Sequence, residues 1–179
     1  MNFAAASAGA MVIVNTAVIV QGQFNLGQTG VAIALAAFGG GSMVAALALP
    51  PLLARAPDRQ TMIFRSGVLA IGTAAGALVF VFEGLLVLWF VLGLGYSLTM
   101  TPVGRLLRRS SAPEDRPALF AAQFALSNAC WLLTYPLAGW LGASLGFAPA
   151  FILMSLLAAV GVALCLRLWP AQEPRATAQ

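Results

Sequence analysis

Few side chains in this 179-residue sequence could do chemistry, and nearly all of those are uncharged. There is no histidine, so haem ligation by His, His-ligated zinc and a Ser-His dyad are excluded within the chain. The carboxylates Asp58, Glu83, Glu114, Asp115 and Glu173 fall in connections or in the tail, which leaves no buried pair for acid-base work and no intramembrane proton relay. No Gly-x-Ser-x-Gly elbow presents a serine nucleophile. Cys130 and Cys165 lie inside apolar segments and read as small packing residues. The chain is therefore read as no enzyme, with neither metal nor cofactor. What remains are amides, hydroxyls and rings within apolar stretches: Ser7, Asn15, Thr16 and Gln21; Tyr96, Ser97, Thr99 and Thr101; Gln123, Ser127, Asn128, Thr134 and Tyr135. Gln123, Ser127, Cys130 and Thr134 follow i, i+4, i+7, i+11 spacing and form one helical stripe, with Asn128, Trp131 and Tyr135 beside it. Such groups can meet a solute near the membrane midplane, or they can hydrogen-bond between helices for about 0.5–2 kcal/mol each.

The elements that carry these residues follow from composition. The sequence is 61% hydrophobic and 8% charged, with mean hydropathy +0.94, too little polar surface for a water-soluble globule. Charge-free windows span residues 1–54, 66–82, 84–104 and 117–166. At roughly 20 apolar residues per crossing, the outer windows hold two helices each and the inner ones one each. The expected fold is an all-α membrane protein of six transmembrane helices, at about 4–21, 30–54, 63–82, 85–104, 118–141 and 148–168, with a cytoplasmic tail at 169–179. Pro50-Pro51 is expected to kink or end the second helix, Glu83-Gly84 to be a tight turn, and Gly142, Gly146 and Pro149 to build the last turn. Helices three and six, nearly bare of polar side chains, are expected to face lipid. Ala37, Gly41 and Ala45 recur every four residues and invite close helix packing, as do Gly72/Gly76 and Gly142/Gly146.

All nine basic residues are arginines in alternate connections: Arg55, Arg59 and Arg65, then Arg105, Arg108, Arg109 and Arg116, then Arg167 and Arg175. By the positive-inside rule, both termini and the two arginine-bearing loops are cytoplasmic. Arginines divided among membrane-bordering loops form no continuous patch for nucleic acid, so none is expected as a partner. The first 54 residues contain no Lys or Arg, hence no charged leader region. A helix entering from the cytoplasm normally follows a basic residue, so Met1 is expected to be an internal start with a further segment before it.

Six helices with both ends inside, polar first and fourth helices and bare third and sixth helices resemble one half of a major facilitator superfamily transporter. In that family the loop after the second helix of each half carries G-x-L-A-D-R-x-G-R-R. The matching stretch is Pro51-Leu52-Leu53-Ala54-Arg55-Ala56-Pro57-Asp58-Arg59-Gln60: Leu53, Ala54 and Arg59 fit, while Pro51, Arg55 and Asp58 replace the first Gly, the Asp and the second Gly. A degenerate copy is typical of the C-terminal half. Gly39-Gly40-Gly41 and Leu137-Ala138-Gly139-Trp140-Leu141-Gly142 also look like family features. The resemblance implies that helices one and four line a central cavity, with two and five beside them, which makes Asn15, Tyr96 and Asn128 the substrate-cavity candidates. It places Asp58 and Arg59 in a cytoplasmic gate loop. The implied function is half of a secondary active transporter, moving a small solute by alternating access in the plasma (inner) membrane. Its partners would be the bilayer, the solute and a second six-helix bundle, either a missing N-terminal half or another chain. The competing reading is a non-transporting scaffold or partner subunit that assembles through small-residue helix faces.

Overall fold

The structure, a computed structural model, describes residues 2–53, 58–109 and 111–168, with side chains described except at 49–53, 58–61, 102, 105, 109 and 168. The described residues form six helices and no strand: α1 (Asn2–Val18), α2 (Gln28–Leu53), α3 (Asp58–Ala75), α4 (Phe82–Arg109), α5 (Arg116–Leu145) and α6 (Phe147–Leu168). A π-helical turn, Ile19–Gln23, extends α1, and a 3-10 turn, Gly76–Leu78, ends α3. Five of the six are long and apolar enough to cross a membrane; the apolar part of the third, Met62–Leu78, is shorter.

Several ends differ from the sequence reading. Glu83 is no turn residue: it lies in the first turn of α4, where a carboxylate suits the positive end of the helix dipole, and the connection is residues 79–81 instead. Gly142 and Pro149 also lie within helices, so α5 and α6 meet at the single residue Gly146, whose φ of 84° falls in the left-handed region open to glycine. Pro149 is tolerated because the first turn of a helix needs no donor there. α2 runs on through Pro50 and Pro51 to Leu53, and α4 continues past Gly104 to Arg109. Apolar surroundings penalise any unpaired peptide group, so helix persists wherever hydrogen bonds can continue.

The helices are arranged as an arc, α2–α4–α3–α6–α5, with α1 filling its concave side. The α2–α4 crossing is the tightest. Gly41 faces the Phe90 carbonyl and Gly93 faces the Phe38 carbonyl, so that a Cβ on either glycine would strike backbone. Ala45 continues this face against Leu94 and Leu98. At such distances Cα–H groups meet carbonyls directly, the contact that small-residue spacing permits. The arc continues through Ser155 of α6, whose hydroxyl donates to the Ala70 carbonyl of α3 at 2.8 Å. Inside it, Trp89 Nε1 donates to Thr16 Oγ1 at 2.8 Å, while that hydroxyl donates to the Val12 carbonyl. Met11, Leu69, Leu85, Leu92, Phe151 and Met154 complete this core.

Burial ranks the helices by their place in the arc. In α1, 72% of the apolar span is buried, against 17% in α2 and 11% in α5, the two arc ends. α3 and α6 do carry outward apolar stripes suited to lipid, Phe64/Ile71/Leu78 and Ile152/Leu156/Val160. Yet bareness of polar side chains does not mark the most exposed helices. α2 and α5 are more open, and α5 carries polar groups on its open side.

Candidate functional site

A row of rings crosses the mouth of the arc. Phe38 of α2 lies 5.8 Å from Tyr96 of α4, and Tyr96 lies 6.2 Å from Trp131 of α5. Trp131 then meets Tyr135, one turn further along α5, at 4.7 Å and 86°. Edge-on pairs of this kind contribute about 0.5–1.5 kcal/mol each beyond their buried area. The row depends on Gly9 of α1, since a Cβ there would fall 2.5 Å from Trp131 Cη2. The backbone of α1 therefore backs the indole that links α4 to α5.

Beside the row, a groove of about 570 Å³ runs along α5, lined by Ala125, Asn128, Ala129, Trp131, Leu132, Tyr135 and Pro136. None of these residues is charged. Asn128 is exposed there, and its Nδ2 donates to the Phe124 carbonyl at 2.8 Å. That bond fixes which end of the amide points back along the helix, because a carbonyl cannot donate, and it leaves Oδ1 as an acceptor and the second N–H as a donor.

The three cavity candidates do not share one surroundings. Tyr96 is half-buried in the ring row, and Asn128 lies on the groove; Trp131 touches the first and lines the groove with the second. Asn15 is apart from them, 2% exposed, its Nδ2 3.2 Å from the Ala138 carbonyl and 3.4 Å from Met11 Sδ. Gly142 makes its room, for a Cβ there would fall 2.5 Å from Asn15 Oδ1. Trp131 precedes Ala138 by two helical turns, which sets Asn15 roughly 10 Å further along α5. The gate candidates Asp58 and Arg59 open α3, and their side chains lie outside the described residues.

The stripe Gln123, Ser127, Cys130 and Thr134 is the inward face of α5. Gln123 Nε2 donates to Asn2 Oδ1 at 3.2 Å, Cys130 and Thr134 are buried, and the three ties Asn2/Gln123, Gly9/Trp131 and Asn15/Ala138 follow α1 and α5 upward in parallel. The sequence reading placed Trp131 on the stripe of Asn128 and Tyr135 without its part as the hub of the ring row, and it singled out neither Phe38 nor Pro136. The run Trp131-x-x-x-Tyr135-Pro136 was the available signal, an aromatic pair at helical spacing beside a helix-breaking residue. Among the described residues, no group of three or more His, Cys, Asp or Glu is placed to hold a metal.

A family model described as the Major Facilitator Superfamily matches residues 1–179. The chain belongs to the major facilitator superfamily. A comparison with curated proteins finds no match. Membership identifies it as a transporter of that superfamily and a multi-pass integral membrane protein, in keeping with its apolar helices.

Proposed function

We propose that this chain is one bundle of an alternating-access transporter, in which a second six-helix bundle closes the groove and a small solute passes between them. The observation that carries this reading is the open side of the arc. The most exposed helix, α5, presents a charge-free groove next to a row of rings, with Asn128 on its surface. A helix meeting only lipid gains nothing from an exposed amide at such depth, whereas a helix lining a watered pathway can hydrate it. In this proposal Tyr96 and Asn128 form part of the solute wall, and Asn15 holds α1 to α5 behind it. Both termini are cytoplasmic, all six helices cross the plasma (inner) membrane, and Asp58 and Arg59 belong to a cytoplasmic gate.

The scaffold reading needs a free small-residue face, and the structure uses that face internally: Gly41 and Ala45 are occupied by α4. The test of the pathway is accessibility in native membranes. In a Cys130→Ala, Cys165→Ala background, Asn128→Cys should react with a membrane-impermeant thiol reagent. Reaction only with a lipid-soluble maleimide would place the groove against lipid and end the proposal. For orientation, Gly84→Cys should label from outside and Ser111→Cys only after permeabilisation; the reverse pattern overturns it.

A further inference from the structure

Resting on the transporter reading above, we propose that Arg65 of α3 is a latch on a hinge in α4. Its guanidinium holds the main-chain carbonyl of Leu98, which Pro102 leaves without a helical donor, and so keeps the segment beyond Pro102 in line. In a regular helix the Leu98 carbonyl accepts from the N–H of residue 102. That residue is a proline inside α4, which runs on to Arg109, and proline has no N–H to give. Arg65 Nη1 donates to this carbonyl at 3.3 Å. The arginine is only 7% exposed, so its charge is packed between helices and is not held out in solvent. A charged donor from a neighbouring helix thus supplies the hydrogen bond that the proline withholds.

The surroundings divide α4 at this point. Up to Leu98 the helix is gripped by α2: Gly93 lies against the Phe38 carbonyl, the Phe90 carbonyl against Gly41, and Leu94 and Leu98 against Ala45. Beyond Pro102 the packing is looser. Among the described residues, a Cβ on Gly104 would meet only Phe120 Cε1, at 3.9 Å. Between the two parts, the hydroxyls of Thr99 and Thr101 donate back to the carbonyls of Gly95 and Ser97, at 2.8 and 2.7 Å. Such back-bonding bends helices, and a proline kinks them. A fixed arm, a weakened joint and a loose arm make a hinge, and Arg65 ties the joint to α3. Its release lets the arm that ends at Arg109 swing, which changes the width of the bundle at the end leading into the connection before α5.

The test is the distance between paired spin labels on the full chain in lipid nanodiscs, in a Cys130→Ala, Cys165→Ala background. One pair, Arg108→Cys with Leu164→Cys, reports the arm beyond the hinge; a second, Val87→Cys with Ile152→Cys, reports the part before it, and all four positions are exposed. A bend of about 20° over the roughly 9 Å from Pro102 to Arg108 moves that position by about 3 Å. Arg65→Leu should shift or broaden the first distance by that amount and leave the second unchanged. Pro102→Ala returns an N–H to the Leu98 carbonyl, so the double variant Arg65→Leu, Pro102→Ala should restore the parent's first distance. Folded protein from the double variant but not from Arg65→Leu alone would show the same rescue. An unchanged first distance in Arg65→Leu, an equal change in both pairs, a change that persists in the double variant, or failure of both variants to fold would each overturn the latch. None of these readings needs a solute, and reactivity of Asn128→Cys decides the pathway separately, so the latch and the transporter reading can fail independently.

Discussion

Asn15 and Asn128 are the same side chain on two helices that pack against each other, and their surroundings are opposite. Asn15 is enclosed, bonded across to Ala138 of α5, with a glycine removed from its path. Asn128 bonds only within its own helix and faces the groove. A buried amide in an apolar bundle therefore has to be met by a neighbour that gives up volume, here Gly142. An amide without such a neighbour marks a surface left for something else. The comparison separates the α1–α5 seam, which holds the bundle, from the outer side of α5, which is free to meet a solute.

The severest way to break it is to fill the seam. Gly142→Leu places a side chain where Asn15 already sits, and overpacking of this kind typically costs 1–3 kcal/mol or, against a well-fixed neighbour, about 3 or more. Detergent unfolding of the variant should show a midpoint far below that of the parent. The smaller pair Gly142→Ala and Asn15→Ala sharpens the point, because shortening Asn15 should relieve part of the cost of the alanine. A coupling of roughly 1 kcal/mol in a double-mutant cycle is expected. Additive effects would mean that the two residues do not compete for one space.

Next in size is the loss of the polar tie itself. Asn15→Leu forfeits the bond to the Ala138 carbonyl, a loss of about 1–2 kcal/mol on the scale of interhelical hydrogen bonds in membranes. The same unfolding measurement checks it. No change would move Asn15 out of the seam and return it to the solute wall.

Gly9→Ala acts between the two regions, since its new Cβ would meet the rim of the Trp131 indole. The rim is the far end of a side chain and can swing, so the expected cost is modest, about 1 kcal/mol. Quenching of tryptophan emission by acrylamide should rise as the ring is displaced. If stability and quenching both stay put, the ring row does not depend on α1.

Much of this was legible in the residues. The number of helices follows from charge-free windows, and the small-residue spacing of Ala37, Gly41 and Ala45 marks the α2–α4 crossing that the structure contains. Helix ends were harder, because Gly84, Gly142 and Pro149 are turn formers in water yet lie within helices here. The cost of an unpaired peptide group in an apolar setting outweighs local turn preference. Depth of burial was hardest. Asn15 and Asn128 each sit in an apolar helix, and nothing within either helix shows whether a partner glycine stands opposite. That is a property of the pairing, and Gly142 lies 127 residues beyond Asn15 in the chain.

The mildest substitution is therefore the most informative about the open side. Asn128→Leu removes no contact to another helix, and its one hydrogen bond runs to Phe124 within α5. A surface change of this type should alter unfolding by less than about 0.5 kcal/mol. Leucine is also the better helix former and the more comfortable residue against lipid, so a lipid-facing position 128 would gain stability in the membrane from the exchange. A watered position gains none. Stability close to the parent is the outcome that keeps Asn128 distinct from Asn15. A clear rise in stability would instead show that the asparagine had been held against hydrocarbon, and the division between a holding seam and a working face would fail at its open side.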